Sequence, residues 1–296
     1  MALLSPLVAI VLPIYITVAI GFFWTRSNRA ININLIETLI QKIAIPCLII
    51  AVFSRIEVNT GEMHKFILAS ILVALAAGFV GSILVRLFKF PLSNHSPIKT
   101  FSLIGSVGLP VCLFFHGDEA LAYGLVFFTV TSVGTFRGDG MISKGNPSFD
   151  KVTREPFIWI LILAVFLVWS GFSLPRWIID TTWLLGAIAI PLQLIVLGSF
   201  LEWSKPKFFY RTVIFSVVQL CIGFILGFLV SKFFSFGMPA QAVLILLASM
   251  PVAKSNYVFA TIFRCEPTDV SGMVFVSTIT SVLAFPLILG WLLNIS

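Results

Sequence analysis

Charge is scarce in this chain. Its 296 residues include 19 Lys+Arg and 12 Asp+Glu, 10% together, whereas an ordinary soluble domain carries about 25% charged residues. Cysteine and histidine are as thin. Cys47, Cys112, Cys221 and Cys265 form no CxxC pair, and His64, His95 and His116 fall in predicted loops and helix ends. No disulfide framework, metal site or zinc cluster is implied. The sequence also lacks an HExxH pair, a phosphate-cradling P-loop and a Ser/His/Asp set, which removes the usual enzyme classes. No cofactor is called for. Long polar stretches are missing too: the longest, 137–155, is too short for a soluble domain.

What is present is apolar. Hydrophobic residues make up 59%, Phe alone fills 30 positions, and the mean hydropathy is +1.08. Disorder and collagen-like repeats do not have this composition. It belongs to an integral membrane protein. The net charge of +7 does not point to nucleic acid, because its basic residues punctuate apolar runs instead of gathering on a water-facing surface.

A helix needs about 20 mostly apolar residues to cross roughly 30 Å of hydrocarbon. Ten segments qualify, at 3–24, 33–53, 66–87, 98–115, 119–136, 156–172, 182–201, 210–231, 240–262 and 269–292. The chain begins Met1-Ala2-Leu3-Leu4 with no basic n-region, its apolar run continues to Trp24, and no small-residue cleavage site follows. It reads as a retained transmembrane helix, not a signal peptide. Loops after odd-numbered spans carry 13 Lys/Arg and loops after even-numbered spans carry 4. By the positive-inside rule both termini lie outside and 137–155 is cytoplasmic. The expected localisation is therefore the cytoplasmic (inner) membrane, multi-pass.

The two halves repeat. Ile43-Ala44-Ile45-Pro46 returns as Ile188-Ala189-Ile190-Pro191, each followed eleven residues past its proline by a glutamate, Glu57 and Glu202. Thr129-Val130-Thr131-Ser132-Val133 is answered by Thr278-Ile279-Thr280-Ser281-Val282, and Gly108-Leu109-Pro110-Val111 by Ser249-Met250-Pro251-Val252. Five spans per unit is an odd number, so the second unit inserts upside down. The expected fold is all-α, with ten transmembrane helices in a 5+5 inverted repeat. Residues 1–136 form the first repeat, 137–155 the linker and 156–296 the second. Inverted repeats with interrupted helices at matching positions are a transporter architecture.

Pro110 and Pro251 are the central candidates. A proline inside a helix removes a hydrogen bond and clashes with the preceding turn, and in lipid the freed groups need partners. Gly105, Ser106 and Gly108 flank the first break and Ser249 precedes the second. A half-helix beginning there places unpaired N–H groups and partial positive charge near the midplane, which suits an anion. The competing reading is a packing kink. Lys254, with Ser255 and Asn256 beside it, lies about 12 Å of helix from the cytoplasmic end. A cation at that depth usually faces a cavity; the alternative is a lysine reaching a vestibule.

Lys42, four before Pro46, is a secondary candidate for which snorkelling leads. Pro46 and Pro191 share that rank, and Gln193 either binds ligand or joins helices. The Thr/Ser pairs at 129–132 and 278–281 are expected to bond back to their own helices. No carboxylate falls in the middle of a span, which disfavours carboxylate-based coupling. Sodium held by carbonyls and hydroxyls stays open.

Together these stretches resemble the auxin efflux carrier family, which includes malonate-transporter-like bacterial permeases. The resemblance rests on Ala44-Ile45-Pro46, Gly105-Ser106-Val107-Gly108-Leu109-Pro110, and Phe115-His116-Gly117-Asp118-Glu119-Ala120-Leu121. It continues in Ala189-Ile190-Pro191-Leu192-Gln193-Leu194-Ile195-Val196-Leu197-Gly198 and in the segment from Ser277-Thr278 to Phe285-Pro286. It implies helices 4 and 9 crossing at their prolines and carriage of organic anions by an elevator-like alternating access. The expected partners are a small organic anion and membrane lipid, with a homodimer among the open assemblies. A membrane sensor or scaffold that binds a ligand and moves nothing is the rival reading.

Overall fold

The computed structural model describes residues 4–27, 33–56, 60–87, 107–144, 156–170, 174–200, 209–250 and 267–295. Among the described residues all regular structure is helical, as lipid demands of a chain that must satisfy its own backbone. The helices are α1 (Leu4–Arg26), α2 (Ile33–Leu39), a π-helical segment (Ile40–Ala44), α3 (Ile45–Phe53), α4 (Thr60–Leu87) and α5 (Gly108–Lys144). After them come α6 (Pro156–Ser170), α7 (Arg176–Gly186), α8 (Ala189–Phe200), α9 (Phe209–Phe233), α10 (Ala240–Ala248) and α11 (Pro267–Ile295).

Seven described segments are long and apolar enough to cross a membrane, from Leu7–Arg26 to Phe275–Asn294. The fourth of them, Gly108–Ser132, is not one straight rod. His116 (φ −147°, ψ 28°) and Gly117 (φ +65°, ψ −149°) leave the helical region, and the chain folds back on itself. Gly124 therefore lies beside Cys112 and Leu109, where an added Cβ would meet Cys112 Sγ and Leu109 Cδ2 at 3.3 Å. In a continuous helix Gly124 and Cys112 would stand about 18 Å apart. Gly117 makes this hairpin possible, because its dihedrals are open essentially to glycine alone. The predicted separation of 98–115 from 119–136 thus has a physical hinge.

The far arm of α5 continues to Lys144, so the stretch assigned to the linker begins as helix. A helix leaving the hydrocarbon still satisfies its own backbone.

Both Ile-Ala-Ile-Pro copies coincide with an irregular backbone. In the first, the Ile45 N–H bonds the Ile40 carbonyl in the wider π pattern, with Pro46 at the start of α3. The wider turn carries the chain past Lys42, the residue whose carbonyl a proline at 46 would strike in a regular helix. In the second copy, α7 ends at Gly186 and α8 starts at Ala189. Gly186 lies directly on Leu48, whose N and Cα stand 2.6 Å from where its Cβ would be.

Packing separates a rim from a centre. In α1, Val8, Leu12, Ile16 and Ile20 are exposed while Ile10 and Ile14 are buried, so one four-residue stripe faces outward and the opposite one inward. The inner stripe brings Gly21 against the Ile195 carbonyl of α8 and Val18 against Gly198. The Tyr15 hydroxyl donates to the Val282 carbonyl, tying α1 to α11. In α10 every residue but Gln241 is buried; it is the innermost helix described.

Candidate functional site

The end of α10 and the start of α5 meet at the centre. Pro251, lacking an N–H, cannot bond the Leu247 carbonyl, and proline disfavours helix in the residue before it. The chain responds by closing early. The Met250 N–H bonds the Leu247 carbonyl at 3.3 Å, and Ser249 caps the turn with its N–H and its Oγ both on the Ile245 carbonyl, at 3.1 and 2.7 Å. Pro110, by contrast, sits in the first turn of α5, where an N–H has no helical acceptor in any case. The Val111 N–H bonds the Val107 carbonyl at 3.1 Å, and all residues from Val107 to Cys112 are buried.

These two helix ends touch. A Cβ on Gly108 would lie 2.6 Å from Leu247 Cδ2 and 3.7 Å from Met250 Cε and Sδ. From the other side α9 presents a Gly-xxx-Gly pair. Gly223 abuts the Ala248 carbonyl and Gly227 abuts Leu244 and Ile245, close enough for Cα–H donation to backbone oxygen. Leu247–Met250 is thus clasped between Gly108 and Gly223.

One turn before Gly223, on the same buried face of α9, stands Gln219. It is only 4% exposed, and its Oε1 finds no hydrogen-bond partner among the described residues. Thr212 and Ser216 continue that face, the Ser216 hydroxyl donating to the Thr212 carbonyl at 2.8 Å. The buried stripe of α9 is therefore polar in its first half and glycine-lined in its second. Sequence reasoning passed over Gln219 because it carries no charge. The available signal was an amide four residues before a Gly-xxx-Gly pair in an otherwise apolar span.

The predicted site residues divide. Gly108 and Pro110 lie buried at this junction. Gly105, Ser106, Pro251, Lys254, Ser255 and Asn256 lie outside the described residues. Gln193 is buried in α8, a helix that packs on α1 and on the π segment, at a different crossing. Pro46 is buried there, Pro191 is exposed, and Lys42 is exposed as a snorkelling lysine should be. The Thr129, Thr131 and Thr280 hydroxyls bond back to the carbonyls of Leu125, Phe127 and Val276, at 2.9, 2.8 and 2.9 Å. No group of three or more His, Cys, Asp or Glu placed to hold a metal occurs among the described residues.

A multi-pass α-helical chain of this kind, with apolar helices long enough to span a bilayer, has the build of an integral membrane protein. Comparison with known proteins agrees. Residues 148–289 match the family model described as "Membrane transport protein". Over 304 aligned residues the chain is 25% identical to an uncharacterized transporter of Methanocaldococcus jannaschii, covering 96% of this chain and 98% of that one. These matches bear out the resemblance to the auxin efflux carrier family carried by the proline motifs. The chain is thus similar to membrane transport proteins over its second half and to a transporter along nearly its whole length.

Proposed function

We propose that the chain is a secondary transporter that moves a small organic anion across the cytoplasmic membrane by alternating access, in an elevator-like movement of one helix group past another. In this reading the ten spans form a 5+5 inverted repeat with both termini outside. The anion sits where the Pro110 and Pro251 segments cross. The observation that carries the reading is the buried start of α5 at Gly108, pressed against Leu247 and Met250. A helix N-terminus holds roughly half a positive charge and N–H groups without helical acceptors, and in a dry interior both favour an anion. Gly105 and Ser106 would extend that cradle, and Lys254, Ser255 and Asn256 would face it from the other repeat. A resident lysine is stabilised when the ligand is negative.

Purified protein in proteoliposomes, assayed with a panel of labelled carboxylates, tests this. Saturable uptake of at least one carboxylate is the expected result. Binding without flux would favour the sensor reading instead. Within the site, Lys254→Ala should weaken carboxylate binding at least tenfold, while Lys42→Ala should leave it within about twofold because Lys42 is exposed and free to reach water. Equal and negligible losses from both would remove Lys254 from the site.

A further inference from the structure

We propose that the Tyr15 hydroxyl and the Val282 carbonyl form a latch that holds two groups of helices in one of two working arrangements; this rests on the reading of the chain as an alternating-access transporter. The sequence of α11 creates the acceptor. Pro286 lies inside that helix and has no N–H, so the carbonyl four residues earlier, on Val282, loses its helical donor. Val282 and Pro286 fall within the apolar span Phe275–Asn294, and Tyr15 within Leu7–Arg26, where water offers no replacement. Tyr15 is half-buried, and its hydroxyl donates to that carbonyl. One helix therefore completes the hydrogen bonding of another. Parting them leaves a bare carbonyl in a medium that penalises it.

The place of this bond gives it a role beyond packing. By their principal contacts the described helices fall into two groups. In one, α1 packs on α8, α3 packs on α6 and α7, and the π segment joins them. In the other, α9 packs on α4, α10 and α11, and α5 packs on α4 and α10. The first group holds the first two spans of each predicted repeat, and the second group holds the last three. They meet chiefly where α5 lies on α1, α3 and α6, and where α1 lies on α11. The Tyr15–Val282 bond stands at the last of these crossings. The other repeat makes no matching acceptor: Arg137 stands where the repeat would place Pro286, and α5 is helical there, so an N–H is in place for the Val133 carbonyl. Two identical crossings in an inverted repeat would give its two arrangements equal energy. A bond at one crossing alone makes them unequal, and Tyr15 favours the arrangement seen in the structure.

Leu7 and Gly290 report on the same crossing. A Cβ at position 290 would meet Leu7 Cδ1 at 3.6 Å, an ordinary contact. The pair Leu7→Cys/Gly290→Cys therefore fits and can be linked by copper phenanthroline while α1 and α11 are together. The full chain is assayed in proteoliposomes, with each single-cysteine variant as control for the native thiols. Adding Tyr15→Phe should lower the ratio of rapidly to slowly linked molecules about two- to tenfold, the worth of one net hydrogen bond. Pro286→Ala restores the N–H that Val282 lacks, so in that background Tyr15→Phe should leave the ratio nearly unchanged. An equal Tyr15→Phe effect in both backgrounds, or none in either, overturns the latch. Linked protein should also lose uptake of labelled carboxylates and regain it on reduction. Undiminished uptake by linked protein overturns the latch and leaves the transport reading standing. No carboxylate uptake by wild type, with the Tyr15→Phe effect still dependent on Pro286, supports the latch and overturns the transport reading.

Discussion

At one interior crossing Gly186 lies on the backbone of Leu48, among the prolines at 46 and 191. At the other, Leu247–Met250 is held between Gly108 and Gly223, close to Pro110. Both use glycine to bring backbones together, as helices in lipid must when packing and not water exclusion drives association. They differ in what surrounds the contact. The first absorbs its prolines inside nearly continuous helices, through a π turn and a two-residue break, and its lysine, Lys42, faces outward. The second stops one helix and starts another, and puts an amide with an unpaired oxygen one turn away. The lesson is that a proline motif alone does not make a site. A site needs helix ends that stay buried together with polar groups left to be satisfied.

Substitutions that refill the glycines sharpen this contrast. Gly223→Ala should have the largest effect, because the new Cβ would overlap the Ala248 carbonyl in the innermost helix, which cannot yield. A loss of about 3 kcal/mol, read as a lowered thermal midpoint in detergent together with lost uptake, is expected. Gly186→Ala should cost about 2 kcal/mol by the same mechanism, since Leu48 backbone at 2.6 Å must move. Carboxylate affinity in whatever folds should be unchanged, and a strong loss of affinity would erase the distinction between the crossings. Gly117→Ala meets no atom within 4 Å, so its cost of about 1–3 kcal/mol comes from φ alone; an unchanged midpoint would show that the hairpin does not need the left-handed residue. Gly108→Ala should be the mildest for stability, under about 1 kcal/mol, because the group it meets is the mobile end of Leu247. It should nevertheless weaken carboxylate binding, since it crowds the start of α5. Wild-type affinity in this variant would argue against an anion at that helix end.

Much of the frame was legible before any coordinates. Span positions followed from apolar length, and α1, α4, α9 and α11 begin and end within a few residues of expectation except at the start of α4, where the helix reaches back to Thr60. The Phe115–Leu121 motif is explained by the backward turn at His116–Gly117, which the sequence marked but could not shape. Both Ile-Ala-Ile-Pro copies drew notice as repeats, yet a proline in sequence does not say whether the chain will widen into a π turn or break in two. That outcome depends on the neighbour pressed against it. Gln219 was missed for a related reason: an uncharged amide in an apolar run is unremarkable until its surroundings withhold a partner.

Composition by itself determined that this protein lives in a membrane and that its spans are helical. Those are properties of the solvent and the backbone, and they need no knowledge of which helix touches which. Tertiary structure alone decided that the glycines at 108 and 223 close on one segment, that Gln193 belongs to a different crossing, and that Gln219 is buried with its oxygen unpaired. Such facts depend on contacts between residues from 25 to about 140 positions apart in sequence. Chain order cannot encode them locally, because burial and pairing are properties of the packed assembly.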